Sequence, residues 1–182
     1  MYIDLDPKQV IKRAMAFPLD DVIQRYAKEQ NLPLQVAREH ERELKRFLAL
    51  GAISPEVYGM RGPIDNLWHT FVIFTREYAK FCQTVAGKFI HHYPSLSRPE
   101  DPQHGRKQAL ELRKGYRRFL NDYQATFNEP APKHLWPRLT SERAEYVGGC
   151  ACTDTDGCDL TSGCTCVDGG TGDETETGGT GD

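Results

Sequence analysis

An all-α fold is predicted by three features of this sequence. Apolar side chains recur at helical spacing, proline and aspartate mark helix starts, and no segment shows the alternation of a strand. About five helices are expected, packed around a central helix rich in aromatic residues. Residues 1–149 are predicted to form this helical domain, and residues 150–182 a disordered tail rich in cysteine, glycine and acidic residues.

Three helices are predicted ahead of the aromatic segment. Helix 1 begins at Asp6-Pro7, an N-cap followed by proline at the first helical position, and Pro18 ends it. Helix 2 follows over about 20–31, where Asp20 or Asp21 is the expected cap, and helix 3 over about 34–50. The charged middle of helix 3, REHEREL, is interpreted as a solvated face.

The central helix is predicted to run from Pro63 to Val85 and to stop at Gly87. At about 100° per residue, one apolar face is shared by Trp68, Phe71, Thr75, Tyr78 and Cys82. A helix with so wide an apolar arc is expected to be central. Cys82 is interpreted as a small buried apolar residue on the side away from the histidine of this helix.

A last long helix is predicted over 103–127, with an apolar stripe and a basic face. The basic face consists of Arg106, Lys107, Arg113, Lys114, Arg117 and Arg118. An acidic partner could bind the surface from Arg106 to Arg118. A nucleic-acid partner is disfavoured, because no basic motif interleaved with aromatic residues accompanies this helix.

A histidine–carboxylate cluster is the first candidate site. Asp65 and His69 are four residues apart on the predicted central helix and so share a face. His91 and His92 follow the end of that helix, where a turn could fold one of them back toward His69. Two imidazoles and a carboxylate would suit Zn²⁺ or Fe²⁺. Alternatively, Asp65 caps the helix and one histidine closes a buried hydrogen-bond network.

The segment KRFLALGAISPEVYGMRGPIDNLWHTFVIFTREYAKFCQTVAGKFIHH resembles the glycine-rich-domain-containing-protein-like family, known from plants and bacteria. The motif of that family is matched here by Asp65, Trp68, His69, Tyr78, Cys82, Gly87 and His91 or His92. Family members often carry a second histidine two residues after the first, where this chain has Phe71. The resemblance covers about 50 residues well and the rest of the predicted domain 1–149 loosely. It implies a fold neighbourhood and brings no established activity.

The tail holds the second candidate site. Five cysteines form two Cys-x-Cys pairs around a central cysteine: Cys150, Cys152, Cys158, Cys164 and Cys166. Paired thiolates suit Cu(I), Zn²⁺ or a related soft ion, although the spacing is not that of a zinc finger. The alternative is a low-complexity tail whose cysteines are incidental, or are sites of oxidation or modification.

Charged residues are distributed unevenly along the chain. Eight of the 26 acidic residues lie in 150–182, which has no Lys or Arg, so 1–149 carries 18 acidic against 23 basic residues. No run of 18 apolar residues is present, so no membrane partner is expected. The N-terminal MYIDLDPKQV lacks a basic n-region and an apolar h-region. A cytoplasmic location with reduced cysteines is therefore expected.

Three functions are compatible with these features. The favoured one is a non-enzymatic metal-binding or metal-handling protein, with a helical His/Asp domain and a soft-metal thiolate tail. The second is a metal-dependent enzyme that uses Asp65, His69 and His91 or His92, and the third is an interaction module. The expected cofactor is a Zn, Cu or Fe ion, and no organic cofactor is indicated. A nucleophile elbow, a phosphate loop and an HExxH motif are all absent from the sequence.

Removal of residues 150–182 is expected to leave the Tm of the helical domain within about 2 °C, because the tail contributes almost no apolar area to a core. Thermal unfolding of the full chain and of residues 1–149, followed by circular dichroism, tests this prediction. A large drop in Tm would contradict it and would indicate that the acidic tail docks on the basic helix.

Overall fold

The structure, a computed structural model, describes residues 6–92 and 102–139, apart from the side chains at 102–104 and 106. Within these ranges the chain forms helices and no strand, which confirms the all-α prediction. The helices are α1 (Pro7–Ala16), α2 (Asp20–Glu29), α3 (Leu34–Ile53), α4 (Ile64–Ile73), α5 (Thr75–Ala86) and α6 (Pro102–Phe127). The predicted tail and its boundary at residue 149 lie outside the described residues.

The starts of the first two helices follow from local sequence. The Asp6 carboxylate accepts a hydrogen bond from the Lys8 N–H at 3.0 Å, and Pro7 occupies the first turn of α1. Neither Asp20 nor Asp21 caps α2, contrary to the prediction. Both lie within its first turn, where their charges interact favourably with the positive end of the helix dipole.

The predicted helix over 63–85 is divided at Phe74, so the described ranges contain six helices where about five were expected. Phe74 has ψ 65°, outside the helical range, and its N–H bonds to the Phe71 carbonyl three residues back. The Phe74 carbonyl then accepts from the Tyr78 N–H at 2.8 Å. The break lets α5 fold back on α4, where Phe71 meets the edge of Tyr78 with 5.0 Å between ring centroids.

Helix α3 contacts each of the other five helices, so the position expected for the aromatic segment is occupied by α3. Phe47 of α3 lies at the centre of the aromatic core. Its ring centroid is 5.5 Å from that of Trp68, 5.0 Å from Phe119 and 5.8 Å from Trp136. Residues from α3, α4, α6 and the C-terminal segment therefore share one core.

The charged middle of α3 is largely buried, so its interpretation as a solvated face is wrong. Glu43 has 0% exposure, and its carboxylate accepts from the Tyr123 hydroxyl at 3.0 Å and the Trp136 Nε1–H at 2.9 Å. Nearby, the Lys45 Nζ lies 2.6 Å from a Glu41 oxygen. Because neighbouring helices surround α3, its charged groups are paired inside the fold.

The backbone of α6 packs directly against the segment before α4. A Cβ added to Gly59 would lie 2.2 Å from the Leu112 carbonyl oxygen, and one added to Gly115 would lie 2.7 Å from the Gly59 nitrogen. Glycine at both positions therefore permits this contact between two backbones.

Among the helices of the described ranges, none combines the length and the apolar character needed to cross a membrane.

Candidate metal centre

Helix α4 supplies two members of the candidate site. Asp65 lies in its first turn and His69 one turn later, so both side chains project from one face. The His69 Nε2 is 4.0 Å from the Asp65 Oδ2, and the two side chains are 52% and 37% exposed. This pair is accessible from solvent.

The third member, His92, comes from the segment that follows α5. Gly87 ends α5 with φ 63°, a left-handed conformation that glycine adopts without steric cost. The chain then returns to α4, and the His92 Nε2 lies 3.0 Å from the Asp65 Oδ1. His91 is exposed, with its ring 5.0 Å from that of Phe89. Of the two consecutive histidines, the structure thus brings His92 to Asp65 and His69.

The imidazole of His92 is confined by aromatic neighbours. Its centroid is 4.2 Å from that of Trp68 and 4.6 Å from that of His69, and its side chain is only 12% exposed. Because a carboxylate can only accept, the Nε2 of His92 carries the proton in its bond to Asp65. A metal ion at this nitrogen would displace that proton.

Two residues of α5 hold the backbone just before His92. The Tyr78 hydroxyl donates to the Ile90 carbonyl at 2.5 Å and accepts from the Trp68 Nε1–H at 3.0 Å. The Ile90 N–H donates to the Cys82 Sγ at 3.5 Å. We call these contacts the Ile90 clamp. Tyr78 and Cys82 were predicted to lie on an apolar face, and this role was not predicted, although their i, i+4 spacing shows that they share a face.

The electrostatics of the cluster favour an ionised carboxylate. Burial of Asp65 raises the pKa of its carboxyl, but the hydrogen bond from His92 and the charges of His69 and His92 lower it more, so the net pKa is lowered. Burial raises the pKa of the Cys82 thiol. Cys82 therefore stays a protonated thiol within the Ile90 clamp, while Asp65 is available as an anionic ligand.

The donor atoms are close enough to share one ion. One nitrogen of each histidine and one oxygen of Asp65 lie within 4.8 Å of one another. With bonds of about 2.0–2.1 Å, two ligands of a tetrahedral Zn²⁺ lie about 3.3 Å apart. Asp65 and His92 are already near this separation. The His69 side chain is half exposed, so burial does not confine it.

The other predicted sites lie elsewhere in the chain. All five tail cysteines lie outside the described residues, as does the side chain of Arg106. On the basic face of α6, Lys114 pairs with Glu111 at 2.9 Å and Arg118 with Glu56 at 3.0 Å. These ion pairs reduce the positive charge available to an acidic partner.

The chain matches a model of a protein family. A family model described as UCP032817-like matches residues 8–129, a range that contains all three members of the cluster and the Ile90 clamp. No curated protein and no solved structure matches the chain.

Proposed function

We propose that this chain, which belongs to the UCP032817-like family, binds one divalent transition-metal ion through Asp65, His69 and His92. The observation that supports this function is the convergence of two imidazoles and an ionised carboxylate from two separate segments. Nitrogen and oxygen ligands of this kind suit Zn²⁺ or Fe²⁺. The resemblance to the glycine-rich-domain-containing-protein-like family includes Asp65, His69 and either His91 or His92, and adds no activity.

We assign metal handling to the protein as its role. His69 is 52% exposed, so one ligand faces solvent and can adjust as an ion enters or leaves. The tail cysteines would then form a separate thiolate site for a soft ion. A metal-dependent enzyme is the second candidate, because three protein ligands leave coordination positions open for water or a substrate.

A closed hydrogen-bond network is the competing explanation of the same geometry. In that case His92 and Asp65 satisfy each other, and His69 supports the pair by its charge. The two explanations predict different effects of removing His69. A structural role affects the protein whether or not metal is present, whereas a ligand role depends on metal.

The His69→Ala variant is expected to unfold like the parent without metal and to be less stable than the parent with metal. Without metal, His69 is half exposed and 4.0 Å from its partner, so its loss should change the free energy of unfolding by less than about 0.5 kcal/mol. With Zn²⁺ at a hundredfold excess over its Kd, the variant should lack a stabilisation of about 2.7 kcal/mol. Four thermal unfolding curves measure this: parent and variant, each chelator-treated and zinc-loaded.

All four samples carry serine in place of the five tail cysteines, because thiolates would bind Zn²⁺ in folded and unfolded chains alike. His91→Ala is the matched control, since it removes the adjacent histidine, which is exposed and is not one of the three grouped donors. A zinc-independent Tm in the parent, or an equal loss in His69→Ala with and without zinc, would refute metal binding at this cluster.

A further inference from the structure

We propose that Tyr78 is a positioning residue of the metal centre. Through the backbone of Ile90, Tyr78 sets the position of His92. The inference builds on the proposed function, since it treats His92 as a ligand. The geometry on which it depends is present in the protein without metal. It therefore has a test that does not require an ion.

The first step is that the Tyr78 hydroxyl donates its proton to the Ile90 carbonyl. A tyrosine hydroxyl donates one proton, and an indole N–H can only donate. Because the Trp68 Nε1–H can only donate and the Ile90 carbonyl can only accept, the Tyr78 proton lies in the bond to Ile90. Tyr78 is 1% exposed, and burial raises the pKa of its hydroxyl. The hydroxyl is thus a neutral donor with a fixed direction.

The second step is that both polar groups of Ile90 are engaged from the same helix. Tyr78 binds its carbonyl, and the Cys82 Sγ, one turn further along α5, accepts from its N–H. Sulfur is a weak acceptor and the Cys82 contact is 3.5 Å long, so Tyr78 provides the stronger of the two bonds. Because its N–H and its carbonyl are both bonded, Ile90 restricts the backbone rotation of the residues that follow it.

The third step concerns the direction of the histidine side chain. Along 89–92, exposed and partly buried side chains alternate, so residues two apart share a side. Ile90 and His92 are both partly buried, whereas Phe89 and His91 are exposed. Fixing Ile90 therefore turns His92 toward Asp65 and turns His91 away. Without the Tyr78 bond, either His91 or His92 could turn toward Asp65.

The test is the Tyr78→Phe variant, which removes the hydroxyl and keeps the ring that packs on Phe71 and Phe89. Removing a partner that orients a metal ligand typically lowers metal affinity by about 10- to 100-fold. Tyr116→Phe is the matched control. Tyr116 is also fully buried, and its hydroxyl donates to the Pro137 carbonyl at 2.9 Å, in contacts separate from the cluster.

Affinity for Co²⁺ is measured on the full chain with its five tail cysteines replaced by serine, from the visible absorption of the bound ion in competition with a chelator. We expect Tyr78→Phe to weaken Co²⁺ binding by about tenfold or more, and Tyr116→Phe to leave it within about twofold. Parental affinity in Tyr78→Phe, or an equal loss in both variants, would overturn the positioning role.

A second measurement needs no metal and separates this inference from the proposed function. In the metal-free parent, the ring N–H of His92 donates to Asp65 and should give an NMR signal protected from exchange. We expect Tyr78→Phe to lose that protection and Tyr116→Phe to retain it. If the parent binds no Co²⁺, the proposed function fails. The His92 N–H signal alone then tests the positioning role of Tyr78. Full protection in Tyr78→Phe would then overturn the positioning role.

Discussion

Replacing Glu43 by alanine is expected to lower the free energy of unfolding by about 3–5 kcal/mol, the usual cost of breaking a buried charged network by removing one member. The substitution leaves the Tyr123 hydroxyl and the Trp136 Nε1–H without their acceptor in a region closed to water. It also leaves Arg46, 3.4 Å from the same carboxylate, without a buried counter-charge. Urea unfolding followed by circular dichroism measures the effect.

Glu39→Ala is the matched control on the same helix. The Glu39 carboxylate is partly exposed and forms ion pairs with His134 at 3.0 Å and Arg42 at 3.8 Å. Surface pairs of this kind contribute about 0–1 kcal/mol. Equal losses in Glu43→Ala and Glu39→Ala would show that the Glu43 network does not stabilise the fold.

Trp68→Ala is expected to cost about 3–5 kcal/mol, because truncating a buried tryptophan removes apolar contacts and leaves a cavity. Trp68 is 6% exposed and packs on Phe47 of α3 and on His92. Its loss also removes the N–H that orients the Tyr78 hydroxyl. The measurement is chemical unfolding of the metal-free protein.

Ile73→Ala provides the comparison within α4, since Ile73 is 61% exposed. Its removal should change the free energy of unfolding by no more than about 0.5 kcal/mol. If Trp68→Ala were as mild as Ile73→Ala, the face that carries Trp68 would have to serve a ligand or a partner, and its assignment to the core would be wrong.

The helices were predictable where local chemistry decides them. Proline after aspartate gave the start of α1, and Gly87 gave the end of α5. The break at Phe74 was not predictable, because Ile73, Phe74 and Thr75 contain neither glycine nor proline. The fold-back of α5 on α4 accompanies this break, and it arises from packing between helices, which a periodic pattern does not record.

The burial of α3 could not be predicted either. A segment of alternating charges has the composition of a solvated surface, and its burial depends on residues far along the chain. Glu43 finds its partners Tyr123 and Trp136 80 and 93 residues later. Only the tertiary fold brings these donors to the carboxylate.

The candidate site was predictable in part. The spacing of Asp65 and His69 places them on one helical face, which needs only the helical period. The choice between His91 and His92 depends on the path of the chain after α5, where Tyr78 and Cys82 bond to Ile90. Sequence could therefore name two members of the cluster and leave the third as one of a pair.

The backbone contact between Gly59 and Gly115 restricts which residues can stand at two positions that are distant in sequence. A side chain at either position would push α6 away from the segment before α4, since the obstructing atoms are backbone atoms that cannot rotate aside. Tyr116 and Phe119, which follow Gly115 on α6, would move with it and disturb the aromatic core. Substitution of these two glycines is therefore limited by the packing of the domain, although neither glycine contributes a side chain to that packing.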